Sequence, residues 1–239
     1  MNIIGKGIYC RSFAKQGNLI KLDLDGSGDK QYRVLSMNGD VAKVLGMEDI
    51  STSQEYNATS KTGTFTNGST GQLYAGSDLD TYLNTTWYNT LPSTAKAAIV
   101  SESRTQYMYK YYLEPSIPNT TTYTYQYQHN WNDYANANLT DSILVGDRNV
   151  FALDLKDIYD YFDKVCITSN ELMELWTNQT GAMNGKTWWL SSAVANGPSF
   201  AWRVKGSDGD LTESSTVNNF YAVRPAFNID LSKIDFTKV

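Results

Sequence analysis

Residues 188–231 read WWLSSAVANGPSFAWRVKGSDGDLTESSTVNNFYAVRPAFNIDL, and this run decides the fold. It is a series of short strands separated by tight turns. Asn196-Gly197-Pro198 and Asp208-Gly209 supply residues that take turn geometry at little cost. Trp188-Trp189-Leu190 opens the series, and Val223-Arg224-Pro225-Ala226-Phe227-Asn228-Ile229 closes it. Successive strand residues face opposite sides, so Trp188 and Trp189 point to opposite faces. One is expected in the core, and the other is free to stack beneath a ligand or an insertion.

Upstream, the chain begins with β signals. Residues 18–24 alternate apolar and polar, Asp25-Gly26-Ser27-Gly28-Asp29 makes a turn, and residues 31–36 (QYRVLS) resume a strand. Asn38-Gly39 predicts a type I′ hairpin turn before a strand over 41–47. Residues 53–76 are polar and rich in Gly and Thr, and read as loop. Ser77 and Asp78 cap a helix carrying Leu79, Tyr82 and Leu83. Residues 84–89 (NTTWYN) are expected to interrupt it. Pro92-Ser93 starts a second helix with Ala95, Ala98, Ile99 and Val100 on its apolar side.

Residues 103–140 are dominated by Tyr, Thr, Asn and Gln, and read as a long insertion in β-hairpin form. Aliphatic residues return over 143–155. A short helix is expected over 157–162, a strand over 163–168 and a helix from Ser169 to Trp176. No fixed-period repeat spans the chain, which argues against a solenoid or propeller.

The whole chain has 239 residues, 13% of them aromatic and only 19% charged, with 17 Tyr and 6 Trp. Its length suits one large domain or two small ones. A net charge of −5 argues against a nucleic-acid partner, because a phosphate binder needs a basic stripe. No apolar run approaches the ~20 residues of a membrane span. The first 17 residues lack the continuous apolar core of a secretory signal. Cys10 and Cys166 lie far apart with no CxxC pair, so two reduced, buried thiols are expected, with a single disulfide between them the alternative.

Three segments carry a family resemblance: WWLSS at 188–192, WRVKGSDGDL at 202–211 and YAVRPAFNIDL at 221–231. Together they resemble a bacterial and phage domain family of unknown function. Its members carry a WWLRS-like strand, a V-x-x-DG hairpin and a VRPAL-like closing strand. YRVLS, GSDLDTYLNTTWYN and DKVCITSNELMEL precede them in the family's order, so the resemblance spans about residues 21–231. The Tyr-rich insertion departs from it. This family looks like a branch of the C-type-lectin-like fold shared with formylglycine-generating enzymes. It is also similar to the variable proteins of diversity-generating retroelements. The resemblance implies a single α+β domain over 1–239, with small twisted irregular sheets, two main helices, an insertion at about 103–142 and a C-terminal ligand-binding segment at about 188–231. In such a fold a buried Arg224 is expected to pair with an acid or with backbone carbonyls.

It also implies a function. In those systems a reverse transcriptase rewrites adenines in the C-terminal coding segment. A rewritten Asn codon ending in a pyrimidine gives Ser, Thr, Asp, Tyr, Phe, Ala or Arg, but never Trp, Lys, Glu, Gln or Met. The ligand-contacting candidates are then Ser192, Ala193, Ser199, Phe200, Arg203, Ser207, Asp210, Thr212, Ser214, Ser215, Asn218, Asn219, Phe220 and Tyr221. Trp202, Lys205 and Glu213 belong to the scaffold. The expectation is non-catalytic recognition of a protein or glycan on a cell or phage surface. Display on a virion or cell surface, with oligomerisation open, would add avidity. An enzyme (a glycan hydrolase or degenerate oxidase) and a structural virion or envelope subunit are the alternatives.

Candidate chemistry is sparse. The cysteine pair used by the oxidase relatives has no counterpart from Trp188 onward. His129 is the single histidine and reads as an exposed loop residue, which leaves neither a catalytic triad nor a zinc site. Asp23, Asp25 and Asp29 on a Gly-rich turn suit calcium chemically, but Val34 stands where an EF-hand needs its bidentate Glu. A solvated turn without a cofactor is the expectation. Asp154, Asp157 and Asp160 share helical spacing and read as a solvated helix face. Tyr107, Tyr109, Tyr111, Tyr123, Tyr125, Tyr127 and Trp131 suit a binding surface, since Tyr gives large contact area at low entropic cost. A self-packing hairpin or an oligomer contact explains them equally well.

Overall fold

The structure is a computed structural model that describes residues 14–110, 139–164, 185–206 and 211–239. Strands β1 (Leu19–Leu22), β2 (Lys30–Asn38) and β3 (Val41–Gly46) form a meander, followed by β4 (Ser51–Glu55) and a small hairpin of β5 (Thr62–Thr64) and β6 (Thr70–Gln72). Helix α1 (Asp78–Thr81) continues through a π-helical stretch (Tyr82–Trp87) into α2 (Tyr88–Thr90); α3 (Ser93–Ala98) then runs directly into β7 (Ile99–Val100). Next come β8 (Glu102–Tyr109), β9 (Leu139–Arg148), α4 (Leu155–Lys164), β10 (Trp188–Val194), β11 (Phe200–Val204) and β12 (Leu211–Thr216). Strands β13 (Phe220–Val223), β14 (Ala226–Asp230) and β15 (Thr237–Lys238) end the chain. The fold is mixed α+β, mostly sheet with few helices, and neither large sheet closes into a barrel.

One sheet has the order β15-β1-β2-β3-β14-β7. The other has the order β12-β11-β10-β13-β4, with β8 joining β10 and β9 pairing with β8. Alternation sorts neighbouring residues into two cores. Val34, Val44 and Trp189 enter the first with Ile20, Leu22, Phe227 and the helical Leu79, Leu83 and Ala98. Leu35, Leu45 and Trp188 enter the second with Trp202, Phe151 and the α4 residues Leu155, Ile158 and Tyr159. The two Trp rings do point apart as the sequence predicts, but both are buried, so neither offers a free stacking surface.

Two of the chain's passages between the sheets, after β3 and after β13, lie side by side. Main-chain bonds fasten them: Gly46 N donates to Pro225 O at 2.9 Å, and Ile50 N to Val223 O at 2.9 Å. Arg224 is buried there. Its Nε donates to Gly46 O at 2.8 Å, and its guanidinium lies 4.8 Å from the Trp188 ring centre. The expected pairing with a backbone carbonyl is therefore present. Burial, with Arg33 nearby, pushes Arg224 down to about 9, which leaves it charged at neutral pH.

Several local expectations change. The β2–β3 loop is Gly39-Asp40, with positive φ at Gly39 only, so it lacks the paired positive φ of a type I′ turn. Residues 53–76 contain most of β4 and all of β5 and β6, because Phe65 and Tyr74 give this polar segment buried anchors. The NTTWYN stretch does not break the helix. Asn84 Nδ2 donates to Asp80 O at 3.2 Å, the acceptor an α-helical Asn84 N–H would use, and the backbone opens to π geometry there. Ser77 does cap α1, its side chain accepting from Asp80 N at 3.0 Å. Asp80 in turn accepts two bonds from Arg148, both at 2.8 Å. Ile99 and Val100 leave α3 to pair with β14. Asp163 and Lys164 end α4 rather than starting a strand. The hairpin expected around the insertion exists as β8 paired with β9. Tyr111, Tyr123, Tyr125, Tyr127, His129, Trp131, Cys10, Cys166 and the helix expected from Ser169 to Trp176 lie outside the described residues.

A Cβ on Gly46 would stand 3.0 Å from Pro225 Cδ and 3.3 Å from Glu48 O. The Pro ring has little freedom to retreat at this crossing. Gly46→Ala is expected to lower stability by about 1–3 kcal/mol, read as a shifted urea midpoint at unchanged slope.

Candidate functional site

The C-terminal candidates separate into three groups. Ser192 and Ala193 are 0% exposed. Ser192 Oγ accepts from Leu155 N at 2.8 Å, and Ala193 sits in a small cluster with Phe65 and Met108. A ligand on the folded surface cannot touch either, so both are corrected to scaffold positions. Their place inside a strand that is buried along its whole length is the reason.

A second group meets at one end of the second sheet. Gly197 N donates to Val194 O at 3.2 Å, and Phe200 N to Gly197 O at 2.9 Å, which closes the β10–β11 turn. Asn196 takes φ 60° within it, a conformation Asn tolerates better than most residues. Val217 N donates to Ser199 O at 3.1 Å, and Asn219 N to Thr216 O at 2.9 Å. These bonds bring the two turns side by side. Ser199, Phe200, Asn218, Asn219 and Phe220 therefore gather there, with Phe220 59% exposed. Ser60 Oγ donates to Pro198 O at 3.2 Å, and Phe220 pairs across to Glu55, so the segment before α1 also borders this end.

The third group lies along the sheet face that carries Trp189. Arg203 opposes Trp189 in the β10–β11 register and Thr212 in the β11–β12 register. Its guanidinium sits 4.9 Å from the Tyr221 ring centre, and Tyr221 packs edge-on against Trp189 at 4.7 Å. Trp189 Nε1 donates to Gln54 O at 2.8 Å, which fixes the ring at the base of this stack. Ser214 and Ser215 belong to β12, while Ser207 and Asp210 lie outside the described residues. The expected scaffold residue Trp202 is fully buried and donates to Ala193 O at 3.1 Å.

The three helical carboxylates depart from expectation. Asp154 is buried and Asp157 largely enclosed rather than solvated, and they form a reciprocal cap. Asp154 Oδ1 accepts from Lys156 N at 3.0 Å, while Asp157 Oδ2 accepts from Asp154 N at 2.8 Å. Asp157 also pairs with Arg104, and with Lys43 at 3.4 Å. Glu102 accepts from the same two cations at 2.7 and 2.9 Å. Burial opposes the charge on Asp157, but Arg104 and Lys43 outweigh it and hold that carboxyl well below the usual range. Asp154 has no such cation in hydrogen-bond contact. Burial, with Asp157 adding repulsion, pushes its carboxyl up to about 7. Asp160 pairs with Lys156 at 2.9 Å.

A cavity of about 120 Å³ opens beside this cluster, lined by Gln16, Leu35, Ser36, Lys43, Asp157, Asp160 and Tyr161. Sequence reasoning missed it. The D-x-x-D spacing was visible, but Lys43, Glu102 and Arg104 come from strands distant in the chain. Asp154, the carboxyl with the raised pKa, is not among the lining residues. The Asp23 and Asp25 turn is also occupied by its own donors. Asp23 accepts from Gly26 N at 2.8 Å, and Asp25 pairs with Lys30 at 2.7 Å. Among the described residues, no group of three or more metal-binding side chains is assembled.

Asp154 generates a pH signature. Below about pH 4 it is protonated in both the folded and unfolded chain. As pH rises toward about 7, only the unfolded chain releases this proton, so its contribution to stability falls. Asp154→Asn removes the titration while keeping a capping oxygen. The variant is expected to gain about 2 kcal/mol or more on the wild type between pH 4 and pH 7, followed by urea unfolding at each pH.

No described helix is long and apolar enough to cross a membrane. No curated protein and no solved structure matches the chain. The family model for the domain of unknown function DUF6273 matches residues 44–231, which takes in the second sheet, the described helices and strands β7 and β14 of the first sheet, and the chain belongs to that family.

Proposed function

We propose that this protein is a non-catalytic recognition module that binds a protein or glycan on a cell or phage surface. Its scaffold is C-type-lectin-like, and its C-terminal loops are diversified by a retroelement. One observation carries the reading. Turns 195–199 and 217–219 are tied together by main-chain hydrogen bonds, and they hold Ser199, Asn218 and Phe220 exposed at one sheet end. Main-chain fastening leaves side chains there free to differ without loss of the fold. Phe220 supplies an apolar anchor, and the Asn and Ser residues supply adaptable hydrogen bonds. The buried carboxylates support a binding role over hydrolysis. Asp154 and Asp157 are engaged in capping α4 and holding Arg104, so neither stands as a free acid and base across the cavity.

Binding is tested on an array of bacterial glycans and on intact bacterial cells, with labelled protein. Phe220→Ala is expected to reduce retention about tenfold at unchanged melting temperature. Release of shortened glycan that disappears with Asp157→Asn would instead establish the hydrolase reading. The diversification half is tested on nucleotides. A near-copy of the segment encoding 188–231 is expected beside a reverse-transcriptase gene, differing from it only at adenines. Differences spread over all four bases, or the absence of such a copy, would remove it.

A further inference from the structure

Arg203 differs from Arg104 and Arg148 in what it holds. Arg104 and Arg148 each engage carboxylates of their own chain. Arg203 pairs with none of the described carboxylates, although the chain has 25 acidic residues against 20 basic ones. Its Nε is enclosed without a hydrogen-bond partner. A buried charged donor left unsatisfied costs free energy, and such an atom calls for an explanation. The guanidinium is also held in place before any ligand arrives. Its Cζ lies over the Tyr221 ring, Tyr221 is packed against Trp189, and Trp189 is hydrogen-bonded to Gln54 O. A fork fixed in this way loses little freedom on binding.

Resting on the recognition role proposed above, we infer that Arg203 is a carboxylate-reading residue and that its ligand is an Asp or Glu side chain of a protein partner. Guanidinium and carboxylate match as planar forks with two parallel N–H···O bonds, whereas a lone hydroxyl uses one. A protein is favoured over a sugar by the state of the aromatic ring. A sugar docks its C–H face on an open ring, but the Tyr221 ring is taken by Arg203 and Trp189. What this stack offers is the fork.

The test is selection from a yeast-displayed library of random peptides, with the full chain as bait and oligogalacturonate as a separate acidic-sugar probe. Enriched peptides are expected to carry Asp or Glu. Their affinity is expected to fall about tenfold or more with Arg203→Ala and with Arg203→Lys, which keeps the charge and loses the fork. Replacing the peptide's acid with its amide is expected to cause the same loss, with no further loss in Arg203→Ala. Arg203→Gln, closer in length and shape, is read alongside as a check on folding by thermal melting. Peptides without acids, or peptides that ignore Arg203→Ala, overturn the inference. If those peptides still respond to Phe220→Ala, the recognition end stands and only the carboxylate assignment fails. If they respond to neither change, both readings fail. Arg203-dependent binding of oligogalacturonate without peptide enrichment overturns the protein partner.

Discussion

Gly46 and Arg224 meet where the chain twice leaves one sheet for the other, and the arrangement of both sheets depends on that contact. The Gly46 carbonyl accepts from Arg224 Nε, and the Gly46 amide donates to Pro225 O. A Cβ at 46 would press on the Pro225 ring, which would have to give way by a few tenths of an ångström. Arg224 also lies against Trp188, so the crossing is coupled to the first residue of β10. A buried guanidinium is costly unless its donors are used. Here the charge joins backbone and ring surfaces that are far apart in sequence. Pro225 adds rigidity, because its ring fixes φ as the chain enters β14.

The second sheet is held from within by polar groups that are buried and satisfied. Gln106 accepts from Tyr74 N and donates to Gln72 O and Ser191 O at 2.9, 2.9 and 2.8 Å. The Tyr56 hydroxyl donates to Ser191 O at 3.1 Å. Together they supply partners that irregular strand pairing would otherwise leave wanting. Lys43, Glu102, Arg104 and Asp157 do the same between α4 and the strands beneath it. In both places the polar residues lie inside the fold rather than at the proposed recognition end. Ser199, Asn218 and Phe220 take little part in such networks, which agrees with a rigid frame presenting changeable side chains.

The C-terminal strands are visible in sequence because they have strict local chemistry. Trp188 and Trp189 alternate, Asn196-Gly197-Pro198 turns, and Val223 to Ile229 returns. Ser77 as a cap, the helix at Pro92-Ser93 and the β1–β3 meander were legible for the same reason. Each rests on residues within a few positions of one another. Ser192 and Ala193 were misplaced because a small polar or apolar residue looks alike on a loop and in a fully buried strand. The NTTWYN stretch misled because its propensities are poor, while Asn84 finds partners in Asp80 and Val150 that only the folded chain provides.

The sequence by itself determined the strand-and-turn rhythm, the helix starts, the opposite facing of Trp188 and Trp189, and the aromatic, charge-poor composition of the chain. These follow from short-range sterics, side-chain alternation and capping. Tertiary structure alone decided which carboxylates are buried, where Arg224 finds its carbonyl, and that Arg203 rests on Tyr221. Those outcomes depend on which strands become neighbours. A burial penalty or an ion pair is set by distance in space, which spacing along the chain does not encode.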